Sequence, residues 1–497
     1  MTNAERQGIA DAPIVCGNGE ESVGPDQQRL GDYDEFRDSE HFRVHFYSTG
    51  PDAPAGWPDP AYVDSVLAAF EIAFRVFRDD LALPIAIPDG NRRGGHDLYD
   101  CMIRDLGDEV SGSASRDSCA WVEGHQICSG TMLLDNDLRL PARIAVHEYF
   151  HLVQLAIDPR GRSWFYESTA TWAIHAALPE DLALAYYSIE RFLQPHLPLT
   201  TLTDTHEYAA YLYWVMLEEL TAHDFVPNVM RRSADVYWET ARDEELARYG
   251  LTYEATLCSL AVWSNSTGLH DDGKHFANGA WYPGLKPTAV HAELPFNDHK
   301  GIRDCWPTGF HALRVEGPGT RSSLQLRFRQ PEDQAPYRKM ILLARDLDNG
   351  IAHIDGREEA GGWVWEVPRW NRLQDVTLLL VHLDGIDPEA DYEYDAEEHG
   401  ESFAREALTL VASPNPFSSE TELRAYLLGD PSDVTARIFD VRGRLVRSWR
   451  ELTVPPGEFA LEWDGTDSRG VRLPSGSYFL DLRSGDAQLT RRVMILK

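Results

Sequence analysis

Residues 141–157 read PARIAVHEYFHLVQLAI, and this stretch decides how the surrounding chain folds. Proline suits the first turn of a helix, the apolar residues that follow supply a buried body, and Asp158-Pro159 ends the pattern. Positions i and i+4 share one helix face, so His147 and His151 can direct their imidazoles at one metal ion. Glu148 follows His147 directly in the helix, and there it can take a proton from an attacking water.

A third ligand is expected, because catalytic zinc sites usually have three protein ligands and one open position. The best candidate is Glu167, sixteen residues after His151, in a second apolar helix that begins near residue 163. A carboxylate among the aromatic residues of that helix is costly to bury without a cation. The sequence therefore predicts a zinc site with Glu148 as general base and with three ligands: His147, His151 and Glu167.

Less specific interpretations of the motif stay open. The two histidines can be core residues satisfied by hydrogen bonds, with Glu148 on a solvated face, or the site can be a degenerate metal site without turnover. His175 is a further candidate ligand, although a core or exposed histidine is its more ordinary interpretation.

Peptide hydrolysis also needs a hydrogen-bond donor for the developing oxyanion. The aromatic stretch 206–214 offers Tyr208, Tyr211 or His206. We take Tyr208 as the catalytic candidate, with aromatic core packing as the alternative.

Two strands upstream of the motif bear on the site. Residues 130–134 predict a strand that is either the sheet edge, where an extended substrate can pair, or ordinary core sheet. Asp97 and Asp100 flank Leu98 and Tyr99 in another predicted strand, and we expect both carboxylates to be solvated.

The chain has 497 residues and a formal net charge of −34. Nucleic acid and anionic membrane surfaces would be repelled, so neither is expected as the main partner. No window of about 18 or more apolar residues predicts a transmembrane segment. The first residues lack the basic-then-apolar profile of a signal peptide, which indicates a cytosolic protein or a chain that begins after a removed signal.

Composition shifts predict a multidomain chain in four segments. Residues 1–40 are polar and predict an extended leader, or a propeptide. Residues 41–304 predict an α+β domain that carries the histidine motif. Residues 305–400 predict a β-sandwich with an acidic linker at about 387–401, and residues 405–497 predict a second all-β sandwich.

The motif HEYFH at 147–151, followed by ESTATW at 167–172, resembles the gluzincin class of zinc metallopeptidases, and more narrowly secreted bacterial metalloproteases. The resemblance covers roughly residues 41–240 and implies a zincin-like fold with Glu148 as general base. The zinc (Zn²⁺) ligands it implies are His147, His151 and Glu167. Thermolysin-like members place an Asp four residues after the glutamate ligand, where this chain has Thr171, so the residue that orients His147 is unassigned.

The C-terminal residues 408–497 resemble an FlgD-like immunoglobulin-type domain, similar to type IX secretion sorting domains. The resemblance rests on an ordered set of segments: SPNPF (413–417), ARIFDVRGRLV (436–446), WDGTD (463–467) and PSGSYF (474–479). It implies bacterial export and a secreted or cell-surface location, with the signal peptide trimmed. Turn chemistry alone is the alternative, because Asp-Gly and Ser-Gly pairs close hairpins in any β-domain.

Export bears on the cysteines, because oxidising conditions favour disulfides. The first pairing we expect is Cys119 with Cys128. Cys16 has two interpretations: a leader thiolate that caps the zinc, or, in preference, a disulfide to Cys101 or another cysteine.

The resulting expectation is an extracellular zinc metalloendopeptidase with a protein or peptide substrate. Its C-terminal domain would contact bacterial secretion or cell-surface machinery. The alternative is a surface adhesion or scaffolding protein with a vestigial metal site. A third interpretation is metal-dependent hydrolysis of a non-peptide substrate.

Overall fold

The structure is a computed structural model that describes residues 33–495, except for the segments 89–95, 108–109, 162, 204, 301–303, 305, 348, 360–361, 403–407, 414–419, 428–431, 455–456 and 485–486. Cys16 and most of the predicted leader lie outside the described residues. Contacts divide the chain into two compact units. The first contains the described residues up to Trp263 together with Phe276–Pro283, and the second contains Ser264–His275 and the described residues from Gly284 onward.

One five-stranded sheet organises the first unit. Its strands are Glu35–Asp38 (β1), Phe42–Phe46 (β2), Tyr99–Arg104 (β3), Gly112–Val122 (β4) and His125–Asp135 (β5). Their spatial order is β1-β2-β3-β5-β4. The three central strands run parallel, whereas β1 and β4 pair antiparallel with their neighbours. The end of the predicted leader thus belongs to the sheet, as β1.

The helices of the first unit follow the sheet or connect its strands. They are Ala61–Arg75 (α1), Pro141–Ile157 (α2), Ser163–Ala177 (α3), Ile189–Leu193 (α4), His206–Ala209 (α5), Tyr211–Leu220 (α6), Phe225–Ser233 (α7), Trp238–Arg248 (α8) and Tyr253–Ser264 (α9). A π-helical turn, Val76–Asp80, extends α1, and a 3₁₀ segment, Leu182–Ser188, precedes α4. In the described residues, no helix is long and apolar enough to span a membrane.

One face of the sheet packs on α1 and α2. Phe42, Val44 and Phe46 alternate along β2 and are fully buried. The Phe42 ring stacks on Phe70 of α1 and meets Tyr149 of α2 edge-on. The residues that alternate with these three in β2, such as His45, therefore project from the opposite face of the sheet.

Helix α2 confirms the helix predicted from the histidine motif. Pro141 lies in its first turn, and Asp158 ends it with an extended backbone. Fifteen of its 17 residues are buried, so the helix lies inside the unit instead of presenting one face to water. Glu148 is fully buried, which contradicts the interpretation that placed it on a solvated face.

The structure decides between two interpretations of one strand and corrects the prediction for another. Residues 130–134 lie in β5, between β3 and β4, so they are core sheet and not the sheet edge. On that side of the sheet the edge strand is β4, because the hairpin between β4 and β5 folds back alongside β5. Asp97 is exposed as expected, but Asp100 is buried, since its side chain projects from β3 toward histidines on the sheet.

The second unit contains two pairs of sheets, whose described strand pairings are antiparallel except that β6 runs parallel to β8. In the first pair, one sheet has the order β11-β10-β14-β8-β6 and the other β12-β13-β9-β15-β7. The strands are Ala289–His291 (β6), Phe296–Lys300 (β7), Phe310–Glu316 (β8), Arg321–Arg329 (β9), Arg338–Asp346 (β10), Ile351–Ile354 (β11), Arg357–Glu359 (β12), Gly362–Pro368 (β13), Leu373–His382 (β14) and Glu393–Ser402 (β15). One apolar cluster, which includes Phe328, Trp365 and Leu378, draws on both sheets. This shared core makes the pair a β-sandwich.

The acidic segment near residue 395 is not a linker. Residues 393–402 form β15, which pairs with β9 in the middle of its sheet. Tyr394 and Ala396 point into the core, whereas Asp395 meets Arg327 and Arg329 of β9 at 3.1 and 2.9 Å. The acidic residues serve as cross-strand ion-pair partners, a role that charge content alone does not reveal. The sandwich also begins before residue 305, with β6 and β7.

The last part of the chain forms the second pair of sheets, with orders β16-β17-β20 and β19-β18-β21-β22. The strands are Leu408–Ser413 (β16), Thr421–Leu427 (β17), Ser432–Asp440 (β18), Leu445–Val454 (β19), Gly457–Trp463 (β20), Gly476–Ser484 (β21) and Ala487–Ile495 (β22). Trp463 is fully buried in an apolar cluster shared by the two sheets. The second predicted sandwich is present, with a core of its own.

The cysteines follow the expectation in part. Cys119 and Cys128 form a disulfide across the β4–β5 hairpin, as predicted. Cys101 is a free, buried thiol in β3, and the pairing expected for Cys16 lies outside the described residues. Burial raises the pKa of the Cys101 thiol well above its usual value, which keeps it protonated.

Candidate metal centre

Three side chains converge where α2 and α3 pack together. His147 Nε2 lies 3.1 Å from Glu167 Oε2 and 3.1 Å from His151 Nε2. His151 Nε2 lies 3.5 Å from the same carboxylate oxygen. The three residues that the sequence nominated as metal ligands are therefore brought together.

The donor spacing fits a tetrahedral metal ion. Zinc bonds to nitrogen and oxygen of about 2.0–2.1 Å place neighbouring ligand atoms of a tetrahedron about 3.3–3.4 Å apart. The observed separations of 3.1, 3.1 and 3.5 Å bracket that value. Two imidazoles and one carboxylate are a donor set that zinc accepts in catalytic sites. The residues present fit a zinc ion.

Gln154 orients one of the histidines. Its Nε2 donates to the Tyr166 carbonyl and to Thr169 Oγ1, each at 2.9 Å, so its Oε1 must face His151 Nδ1, 2.6 Å away. An amide oxygen can only accept, so Nδ1 of His151 carries a hydrogen, and Nε2 is the nitrogen that faces the other two ligands. This is the tautomer that a metal ligand needs.

Charge and burial act in opposite directions on the three side chains. Burial lowers the pKa of His147, and the hydrogen bond and charge of Glu167 oppose it. Burial also acts to lower the pKa of His151, but the charge and hydrogen bond of Glu167 outweigh it and raise that pKa to about 9. Burial acts to raise the pKa of Glu167, but His151 and His147 lower it below its usual value. Without a metal, the ionised Glu167 carboxylate is therefore paired with a protonated His151, and a metal ion that binds there displaces the His151 proton.

Glu148 lies against the edge strand of the sheet. A Cβ atom added at Gly112, the first residue of β4, would lie 3.0 Å from Glu148 Oε1 and 2.7 Å from Ile144 Cγ2. The β4 backbone therefore passes directly over the Glu148 carboxylate, and only glycine leaves room for it. The predicted general base and the edge strand are neighbours.

Among the described residues, Tyr208 is the oxyanion-donor candidate whose ring packs near the metal centre. Its ring lies 5.9 Å from the ring of His147, centroid to centroid. Tyr211 instead donates to the Leu184 carbonyl at 3.3 Å, and His206 contacts Arg191 at 3.4 Å. Burial and the Arg191 charge lower the pKa of His206 to about 3, so this imidazole is neutral.

Two other predicted positions lie outside the cluster of His147, His151 and Glu167. His175, at the end of α3, interacts with Glu218 and His223; burial lowers its pKa. Thr171 donates its hydroxyl to the Glu167 carbonyl at 2.9 Å, a bond within α3. It does not substitute for the aspartate of thermolysin-like members.

Sequence reasoning missed Gln154 and Gly112. Gln154 is a polar residue in a buried apolar helix, three positions after His151, and that placement is the signal that could have found it. Gly112 has no comparable signal, because its role depends on which strand passes α2.

We expect Gln154→Ala to weaken zinc binding 10–100-fold, the usual cost of losing the partner of a metal-bound histidine. The change removes the acceptor that fixes His151 Nδ1. Gln154→Glu keeps the acceptor for His151 Nδ1 but loses the donor to the Tyr166 carbonyl, so it should restore part of the affinity. The measurement is zinc affinity by competition with a chromophoric chelator. Gln194→Ala, which removes an amide bonded to Glu190, is the matched control; equal affinities in all variants would contradict the orienting role.

Comparisons with known proteins inform the C-terminal region. Residues 415–487 match the family model of the FlgD Ig-like domain. No curated protein matches the chain. Among solved structures, PorZ, a bacterial surface component of the type-IX secretion system of Porphyromonas gingivalis, is 15% identical with a TM-score of 0.15, over 23% of this chain and 14% of that one. Dimeric latent PorU of the same organism is 15% identical with a TM-score of 0.18, over 42% and 19%.

This chain therefore spans less than a fifth of the length of either protein. Overlaps with such low TM-scores carry no weight for function. The FlgD Ig-like match covers only the C-terminal sandwich and does not include the candidate metal centre.

Proposed function

We propose that the chain is a zinc-dependent metalloendopeptidase that acts outside a bacterial cell. The observation that carries the proposal is the convergence of His147, His151 and Glu167, at tetrahedral spacing, beside Glu148. Zinc bound there would supply Lewis acidity, which polarises a scissile carbonyl and lowers the pKa of a water.

The remaining chemistry belongs to side chains of this protein. Glu148 takes a proton from the attacking water and later passes it to the leaving amine. Its full burial strengthens its electrostatic effect on a reacting group, because little water screens it. Tyr208, beside His147, donates a hydrogen bond to the oxyanion.

An extended peptide is the substrate class that the edge strand favours. Within the described part of the sheet, β4 has a neighbour on one side only, so its other edge can pair with an added strand. Because Gly112 begins β4 over Glu148, a peptide paired along β4 would pass the general base. This relation favours a peptide over a non-peptide substrate.

The extracellular location rests on the C-terminal domain and the disulfide. The FlgD Ig-like match at 415–487 favours export, and we propose that this domain contacts bacterial secretion or cell-surface machinery. A disulfide between Cys119 and Cys128 suits an oxidising compartment.

The experiment that tests the function compares the full chain with His147→Ala. We expect the variant to bind one zinc fewer per chain by mass spectrometry, because one of three ligands is lost. We also expect the parent, but not the variant, to cleave a reduced and alkylated protein, and a chelator to stop the cleavage until zinc is restored. His125→Ala, which alters a histidine whose side chain is 40% exposed, is the matched control.

Equal zinc content in parent and variant would refute the metal centre. Zinc bound at His147 without cleavage of any protein or peptide would leave the site without proteolytic function and place the adhesion or scaffolding alternative first.

A further inference from the structure

A second cluster of metal-type donors lies on the sheet face that points away from α2. His45 lies on β2 between Val44 and Phe46, which point toward the helices, so its side chain projects from the other face. Asp100 projects from the same face of β3, and His96 precedes that strand. The nearest zinc-ligand candidates, in α2, are thus separated from this cluster by the sheet itself.

The three donors lie within reach of one ion. His45 Nε2 is 2.7 Å from Asp100 Oδ1, and His96 Nε2 is 3.6 Å from the same oxygen. One ligand atom from each residue lies within 4.8 Å of the other two. The Asp100 side chain is 3% exposed, that of His45 8% and that of His96 14%.

Hydrogen bonding within the cluster leaves two polar atoms unexplained. The His45–Asp100 bond satisfies one nitrogen and one oxygen. His96 Nε2 and Asp100 Oδ2 are buried and lack a hydrogen-bond partner in the described structure. Buried polar atoms without partners are costly, and a bound ion is one of the few explanations. The Leu98 backbone N–H donates to His96 Nδ1 at 3.2 Å, so zinc bound at His96 Nε2 requires that bond to break and the ring hydrogen to move to Nδ1.

The surrounding charges permit a cation. Arg43 is the nearby positive side chain, but it forms a two-pronged ion pair with Asp38 at 2.6 and 2.7 Å. Asp38 is close enough that His96 and His45 contribute to its lowered pKa, after the larger effect of Arg43. Tyr33, whose ring is 6.2 Å from that of His45, is the neighbouring aromatic group. Arg104, on the same face of β3 as Asp100, also acts on Tyr33. Asp38 neutralises Arg43, and the Asp100 carboxylate supplies the negative charge that a cation would meet.

We propose that His45, His96 and Asp100 form a second zinc site, whose role is structural. Two imidazoles and one carboxylate favour zinc over calcium or magnesium, which prefer oxygen donors. The ion would join β2 to the segment that enters β3, residues that are 51 positions apart in the chain. Binding there stabilises the folded state, since an unfolded chain does not bring these donors together.

The test uses the full chain with His147→Ala and His151→Ala together as background, so that the proposed catalytic site is removed. The background protein is stripped with a chelator, reloaded with zinc and measured by mass spectrometry. We expect about one zinc per chain in the background and none after His96→Ala is added. Zinc should raise the melting temperature of the background, and His96→Ala should abolish that rise. His125→Ala in the same background is the control and should keep both properties.

Background protein that binds no zinc, or His96→Ala that binds as much as the background, would overturn the second site. If circular dichroism shows that His96→Ala does not fold, His96→Gln replaces it, and the protein is loaded with cobalt instead of zinc. We expect visible cobalt absorption in the background and its loss in His96→Gln, and identical spectra would again overturn the proposal. The outcome is independent of proteolysis, because the first site is absent throughout.

Discussion

Replacing Glu148 by glutamine is expected to reduce kcat about 10²–10⁴-fold while zinc content stays unchanged. The fall is the usual contribution of a positioned general base. Glutamine has the shape of glutamate, so the buried space beside Gly112 stays filled. The amide has no basic oxygen that can hold the proton of the attacking water. Zinc content per chain and the rate of peptide cleavage are measured on the same variant. Together they distinguish the loss of a general base from the loss of a zinc ligand.

The matched control for Glu148→Gln is Glu71→Gln. Glu71 is a helix carboxylate of the same unit that bonds to His41 at 2.8 Å, and it has no contact with the metal centre among the described residues. It should keep both zinc and turnover. Proteolysis at the parental rate in Glu148→Gln would refute the general-base assignment, and loss of zinc from that variant would show that Glu148 supports the ligands instead.

The candidate site could be predicted from sequence where its geometry is local. His147 and His151 lie four residues apart, and helix periodicity alone places both on one face. Glu167 follows after one short turn, so the pairing of two consecutive helices was enough to nominate it. The structure brings these three side chains together as that reasoning expected.

The same reasoning could not predict contacts between segments that are distant in the sequence. Asp100 was expected in water because nothing in its own strand shows that His45, 55 residues earlier, is its partner. The choice between edge strand and core sheet for residues 130–134 stays open in the sequence, since strand order depends on how the β4–β5 hairpin folds back. The acidic residues of β15 predict a linker, because their arginine partners lie in the distant strand β9. In each case the deciding interaction is absent from the local pattern.

Tyr208, the candidate oxyanion donor, has its ring 5.9 Å from that of His147 and is buried like the core tyrosines around it. Aromatic packing and catalysis therefore make different predictions for loss of its hydroxyl group alone. A packing role depends on the ring, which phenylalanine keeps. A donor role depends on the O–H group, which phenylalanine lacks.

We expect Tyr208→Phe to lower kcat about 10²–10³-fold with little change in KM, because a donor to the oxyanion acts mainly in the transition state. Zinc content and melting temperature should stay close to those of the parent. Tyr213→Phe is the matched control: its hydroxyl contacts Thr256 Oγ1 at 2.9 Å, so its loss affects stability instead of turnover. Parental kcat in Tyr208→Phe would assign Tyr208 to core packing, and a loss of kcat in Tyr211→Phe instead would move the donor to that residue.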